Sequence, residues 1–394
     1  MTDKLLGLSL FSGAGGMDIG IRAAGFRVVA EVEMDPNCCE TLRAAEEREQ
    51  LGTRVIEEDI RKIDPDALRK ELGLKKGELA LLFGGPPCQA FSQIGKRHSL
   101  CDARGMLLFE MVRFAQAFQP KAIMIEQVKG LLNAPGHDGD KGAFQLLLDQ
   151  LEELDYVPKW RVMRAADYGV PQLRERVFIV ATKKPNGFSF PDPSHSDCKH
   201  KSHDLFPLPA YITVGEAING LGKPTRPNGH VPVDSHHDVT PDGDQSRIHG
   251  VGEGSHLARE LHLPLSQRGK LTKKDTTKYR RLDRNEPSLT LRCGEIFFHP
   301  TEDRYLTPRE YMRIHGYPDT YLLKGPIRSR SGRVRDLDQH RQVANSVPPP
   351  LAQAIANQIR RVIECLPSSK PSATRSQTTA KKRTTTESAR SAHS

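Results

Sequence analysis

The feature that most constrains this chain is the order of its apolar runs. KLLGLSLF (4–11), FRVVAEVE (26–33), ELALLFGG (78–85), PKAIMIEQV (120–128) and RVFIVAT (176–182) are short and continuous, and RVIEED (54–59) adds another between the second and third. Runs of this length, bounded by turn residues, read as buried strands. Amphipathic segments lie between them. The clearest is 142–154, where Ala143, Leu146, Leu147, Leu151 and Leu154 share one helical face. Strand, turn, helix and strand in that order predict an α/β fold, a sheet covered by helices on both faces. Ligands of such sheets gather beyond the carboxyl ends of the strands.

Past residue 186 the periodicity fades. NGFSFPDPSHSDCKHKSHDLFPLPAY is rich in Pro, His and Ser, and ten of the fifteen histidines fall between 186 and 303, so a loop-rich lobe is expected there. Helical pattern returns at LTPREYMRIHGYP (306–318), with Thr307 as N-cap, Pro308 in the first turn and Glu310 completing a capping box. A last helix over 350–364 carries Leu351, Ile355, Ile359, Val362 and Ile363. The Ser/Thr/Lys/Arg-rich tail from Pro367 has the composition of a disordered segment, and no internal repeat is evident.

The 394 residues leave room for one large domain and a smaller one. No apolar run approaches the length of a membrane span, and MTDKLLGLSLF lacks the marks of a secretory leader, so a cytoplasmic protein is expected. Seven cysteines (38, 39, 88, 101, 198, 293 and 365), odd in number and without a C-x-x-C pair, argue for reduced thiols. The net charge of +9 suggests a polyanionic partner, but six basic residues against Glu387 put +5 of it in 367–394 and leave the body about +4.

Chemistry-bearing residues sit at the strand ends. In FSGAGGMD (11–18) the glycines suit close approach to a ligand, yet a dinucleotide fingerprint would need glycines at 13, 15 and 18, and position 18 is Asp. Glu33 ends the next strand, placed to accept from a ribose; Asp59 and Ile60 follow the third, an acceptor and an apolar surface for an adenine. Three such ends describe a nucleoside cofactor without phosphates, S-adenosylmethionine; the alternative for 11–18 is a plain strand-to-helix turn. LLFGGPPCQAFS (81–92) fixes Cys88 behind two prolines, either as a thiolate nucleophile or as a buried thiol in a Pro turn. Glu126, at the end of an apolar strand, suits an acid kept protonated by burial, or else a helix cap or ion-pair partner. QLRER (172–176) sets Arg174 and Arg176 on one strand face, fit for a phosphate or base edge, or for a solvated sheet edge. CKHKSH offers Cys198, His200 and His203 but no fourth ligand, so no metal site is expected.

In their linear order FSGAGG, EVEMDP, EDI, GGPPCQAFS, DARGMLLFE (102–110), EQV, QLRER, RYLTPRE (304–310) and QVANSVPPPLAQAI (342–355) make the chain resemble the DNA (cytosine-5) methyltransferases over about 9–360, apart from the variable lobe. The resemblance implies a Rossmann-like S-adenosylmethionine-dependent methyltransferase sheet domain over 1–185, completed by 338–365. It implies a target-recognition lobe over 186–337 and leaves a basic tail at 366–394. It assigns Cys88 to attack on C6 of a flipped-out cytosine, Glu126 to N3, Arg176 to the base and Arg174 to support of the nucleophile loop. Phe11, Gly13, Gly15, Glu33, Met34, Asp59, Ile60, Pro87, Asn345 and Val347 fall on cofactor positions. It makes Arg247, Arg280, Arg281, Arg284 and Arg292 candidates for contacts to bases and phosphates. The expected partner is double-stranded DNA and a monomer the expected state; the enzyme is expected to be of the compact prokaryotic kind, either the modification half of a restriction-modification system with a separately acting restriction endonuclease or a solitary methyltransferase. The alternatives are a member acting on transfer RNA and a catalytically idle DNA-binding protein. Two positions depart from the family pattern: Gln127 stands where Asn is usual, and Ala344 where Gly is usual.

Overall fold

The computed structural model describes residues 5–87, 106–134, 142–183, 187–197, 207–226, 234–260, 264, 279–294, 296–328 and 336–365. Cys88, the 102–105 stretch of DARGMLLFE, the CKHKSH run with Cys198, His200 and His203, and the tail from 366 lie outside the described residues.

Seven strands form one sheet: β1 Leu6–Leu10, β2 Arg27–Glu33, β3 Arg54–Glu57, β4 Leu81–Gly84, β5 Ala122–Gln127, β6 Tyr156–Arg164 and β7 Glu175–Lys183, in the order β3-β2-β1-β4-β5-β7-β6. The first five are parallel, and β7 runs antiparallel to both β5 and β6. Strand order reverses between β1 and β4, the place where doubly wound sheets open a crevice at their carboxyl edge.

Alternate residues of each strand feed two cores. Leu8, Leu10, Leu82, Ile123, Ile125 and Ile179 pack with Leu68, Phe114, Leu147 and Leu151 on one face. Leu81, Phe83, Met124, Phe178 and Val180 pack on the other with Ile21, Leu351, Ile355 and Ile359. Helix α1 (Gly16–Ala23) and the last helix (Pro349–Cys365) meet so closely that a Cβ on Gly20 would collide with the Pro349 carbonyl oxygen. The last helix therefore belongs to the sheet's packing although it ends the described chain.

The apolar runs form strands as expected, and β6 is the addition. YVPKWRVMR carries Pro158, Lys159 and Arg161, so no apolar run marks it; as an edge strand it tolerates the proline and exposes its middle. In the helix Ala143–Glu153 the face turned to the core is Ala143, Leu147 and Leu151 with Phe144 and Leu148 beside them, and Leu146 lies off it.

The described residues of 187–328 contain short helices and isolated bridges, with no sheet among them. The helix Pro308–His315 has the expected capping box, Thr307 and Glu310 bonding each other's backbone N–H. Arginines replace secondary structure as partners of buried carbonyls. Arg281 donates to the carbonyls of Ile248, Val251, His299 and Glu302 and to Asp303, and Arg304 pairs with Glu310 at 2.7 and 2.8 Å.

Candidate active site

The parallel strands all end at one edge. Beyond β1 the chain turns through left-handed backbone at Phe11 (φ 55°), Gly13 (φ 54°) and Gly15 (φ 74°), the last capping α1. This turn presents the Gly13 N–H to Glu33 Oε2 at 2.8 Å, while Glu33 Oε1 accepts from the N–H groups of Met34 and Asp35, each at 2.8 Å. Burial pushes the Glu33 carboxyl up from its usual range, with the three backbone donors opposing it. Among the described residues a Cβ on Gly13 would meet nothing within 4 Å, and Met34, next to Glu33 in the chain, is 38% exposed. Asp18, in the position that would have to be glycine for a pyrophosphate loop, is wholly buried in the first turn of α1.

β3 joins this corner through the Glu58 N–H, 3.1 Å from the Glu33 carbonyl. Asp59 caps the turn Ile60–Lys62, and the Arg61 fork takes both of its oxygens, holding the carboxyl down at about 2. Ile60 packs into the core. Its apolar surface is therefore turned inward, and the Asp59 carboxylate is engaged by Arg61. From the far end of the chain Val347 arrives against α1: a Cβ on Gly16 would lie 2.5 Å from the Val347 carbonyl oxygen. Asn345, exposed at the end of the helix Gln339–Asn345, accepts from Cys293 Sγ at 2.6 Å.

A second cluster stands at β4 and β5. Glu126 Oε1 lies 3.0 Å from Arg176 Nε, with only 13% and 17% of the two side chains exposed. A Cβ on Gly85 would come within 3.2 Å of Glu126 Oε2, so the turn after β4 lies against the acid. Sheet topology explains the pair: β7 begins where β5 ends, Gln127 facing Val177, so the first residues of an antiparallel strand reach the edge where the parallel strands finish. Of the readings open for Glu126, the ion-pair partner is the one the structure displays. Arg174 and Arg176 do not aim one way. β7 starts only at Glu175, and the residues before it leave the sheet to pair with Ser288, so buried Arg174 instead donates to the Ala344 carbonyl at 3.0 Å.

Gln127 is fully buried, and its Nε2 donates to the Pro86 carbonyl at 2.7 Å, while its Oε1 has no partner among the described residues. The longer side chain thus ties β5 to the Gly84–Pro87 turn. Pro87 is half-buried, and Cys88 follows it in the chain. Glu33 and Glu126 stand on strands three steps apart, which separates the two clusters by roughly 15 Å at ~4.8 Å per strand.

Arg281 is buried by the five bonds described above and so lacks the free guanidinium expected of a base or phosphate contact, whereas Arg284, forked onto Glu253, stays half exposed at the surface. Gln172, His315 and Cys293 link the lobe to the two clusters; Gln172 opens the QLRER run, but its partnership with His315, 143 residues away, is marked by no spacing, nor is that of Cys293 with Asn345.

The doubly wound sheet with β7 inserted antiparallel, carrying sites at its carboxyl edge, is a Rossmann-like methyltransferase fold. A crystal structure of an E. coli prophage-encoded protein, taken to be a DNA modification methyltransferase, shares it at a TM-score of 0.66 and 21% identity, over 92% of this chain and all of that one. The sequence profile of the C-5 cytosine-specific DNA methylases matches residues 6–361. A type II methyltransferase, M.AquIA of Picosynechococcus, is 41% identical over 58% of this chain and 92% of its own length. M1.HphI of Haemophilus parahaemolyticus, also a type II methyltransferase, is 32% identical over 90% of this chain and 86% of its own. The chain belongs to the C-5 cytosine-specific DNA methylase family and is a DNA (cytosine-5) methyltransferase.

Proposed function

We propose that the protein transfers a methyl group from S-adenosylmethionine to C5 of a cytosine flipped out of a short duplex DNA sequence, as the modification enzyme of a restriction-modification system. The observation that carries this reading is the acid–guanidinium pair of Glu126 and Arg176 at the Gly–Pro turn that leads into Cys88.

The residues at the first cluster fit the cofactor. Glu33, fixed by three backbone N–H groups, keeps lone pairs for ribose hydroxyls, the open side of Gly13 admits a ligand, and Met34 offers an apolar face. Bound there, S-adenosylmethionine supplies the electrophilic methyl that C5 takes up. Cys88, as the thiolate, adds to C6 and turns C5 into a nucleophile. Glu126 bonds the N3 edge of the base, and Arg176 holds both Glu126 and the base. Gln127, through Pro86, sets the turn that carries the thiol. Loss of the C5 proton then expels Cys88 and leaves 5-methylcytosine. Extruding the base costs a few kcal/mol of stacking, which the lobe over 186–337 offsets through contacts to flanking DNA. The sheet domain over 1–185 with 338–365 does the chemistry as a monomer. The type II names of the relatives support the restriction-modification role.

The test is to incubate the protein with S-adenosylmethionine and either unmethylated genomic DNA or transfer RNA, then map 5-methylcytosine at base resolution. Methylation of DNA at one short repeated sequence is expected. Methylation of transfer RNA alone, or of neither while cofactor binds, contradicts the reading.

A further inference from the structure

Three parts of the molecule meet at one buried point: the arm that carries Arg174 and Arg176, the lobe segment near Leu291, and the segment 344–347. The Leu173 N–H donates to the Ser288 carbonyl at 2.7 Å and the Ser288 N–H to the Pro171 carbonyl at 2.9 Å, so a piece of the lobe bridges to the arm in parallel fashion. Two fully buried polar side chains, Gln172 and His315, fill the junction. The Leu291 N–H donates to Gln172 Oε1 at 3.1 Å, which fixes the orientation of that amide and turns its Nε2 toward His315 Nδ1 at 3.0 Å. Nδ1 must then accept, so the ring proton sits on Nε2, which donates to the Ser346 carbonyl at 3.0 Å. Both ends give the same tautomer, since a carbonyl can only accept. Burial and the nearby Arg174 and Arg176 push the imidazole far below its usual range, which keeps Nδ1 free to accept. Tyr317 stacks on the ring at 6.0 Å.

We propose that Gln172 and His315 are positioning residues for methyl transfer, a strut that locks the Arg176 arm to the cofactor-side segment 344–347 and to the recognition lobe. The proposal rests on the methyltransferase reading above. One residue beyond Ser346, the Val347 carbonyl packs on Gly16 at the start of α1, and four residues beyond Gln172, Arg176 meets Glu126. The strut thus ties the two clusters into one frame, and its loss lets them drift relative to each other. Misplacement on the scale of 1 Å is worth about 100-fold in rate.

The experiment is single-turnover methyl transfer at saturating duplex DNA and S-adenosylmethionine, with cofactor and DNA affinities measured separately. His315→Leu removes both bonds of the ring; Gln172→Met, close in shape, breaks the same strut should His315→Leu fold poorly. Each is expected to slow transfer about 100-fold while both affinities move less than about 3-fold. Because an amide carries one acceptor and one donor group, His315→Gln should recover most of the rate. The double variant should be no slower than either single one, as for parts of one device. Ile363→Ala, a remote core change, should lower thermal stability without slowing transfer, separating positioning from general loosening. Wild-type rates in both strut variants, losses that multiply in the double variant, or no recovery with His315→Gln overturn the strut. A wild-type chain that binds DNA without methylating it removes the reading beneath, and the strut with it.

Discussion

The two halves of this molecule solve the problem of buried backbone in opposite ways. In the sheet half, strand ladders pair the carbonyls and apolar side chains do the packing. In the lobe, guanidinium groups reach into irregular backbone: Arg281 gathers four carbonyls, and Arg309 those of Asp234 and Tyr321. Buried carboxyls follow the same division. Behind the Glu33 corner, Asp18 and Glu31 share one cation, Arg22; burial raises both carboxyls, and the charge of Asp18 adds to the rise of Glu31, which reaches about 8. In the lobe Glu310 accepts two bonds from Arg304 and is held below its usual range despite its burial. One half retains a proton, and the other excludes it. A ladder leaves strand ends free to carry chemistry, whereas arginine-held loops leave the surface free to vary.

The division of labour predicts how the halves fail. Cys88→Ser should cost on the order of 10,000-fold or more in methylation while cofactor affinity holds, because a hydroxyl is a far weaker nucleophile toward C6. Single-turnover assay beside calorimetric titration checks this, and collapse of cofactor binding would make Cys88 structural. Arg281→Leu strands the buried carbonyls and should destabilise the lobe by about 3–5 kcal/mol. Specific DNA binding should be lost, and cofactor binding kept. Denaturant unfolding would reveal a second, earlier transition, and a single unshifted transition would show the lobe does not depend on that fork.

Glu33→Ala should weaken cofactor binding about 10- to 100-fold, the worth of charge-assisted hydrogen bonds to a ribose, with little change in DNA affinity. Unchanged cofactor affinity would remove the ribose assignment. The smallest effect separates the carboxyl sets by pH. For Glu31 the folded form binds more protons than the unfolded chain between 4.5 and about 8, so its contribution to stability falls as pH rises through that window, and Asp18, also raised, acts with the same sign. For Glu310 the sign reverses, and its contribution fades as pH drops below 4.5. Thermal midpoints across this range should decline on the alkaline side, and Glu31→Gln should flatten that decline. An unaltered slope in the variant would assign it elsewhere.

What could be read in the sequence follows the same line. Apolar runs disclosed all five parallel strands, and the capping box at Thr307 and Glu310 was legible because its chemistry is local. β6 stayed hidden because an edge strand need not be apolar. Arg174 and Arg176 could be named as a pair, but their divergence depends on a bridge to Ser288, more than a hundred residues away. Gln127 looked like a departure from the family pattern; its reach to Pro86 depends on the spacing of β4 and β5, which no string of residues displays. Arg281 looked like a DNA contact for the same reason that it is a core element: a guanidinium satisfies backbone carbonyls as readily as phosphate oxygens.

The central claim is that the chain uses Cys88 covalently at a cytosine. Duplex DNA carrying 5-fluorocytosine at the mapped target tests it most directly, because fluorine cannot leave C5 as the proton does and the adduct cannot resolve. With S-adenosylmethionine present, a protein–DNA conjugate that survives denaturation, with the bond mapped to Cys88 and absent from Cys88→Ser, is the result the account predicts. Free protein after denaturation, from an enzyme that methylates the ordinary target, would contradict it.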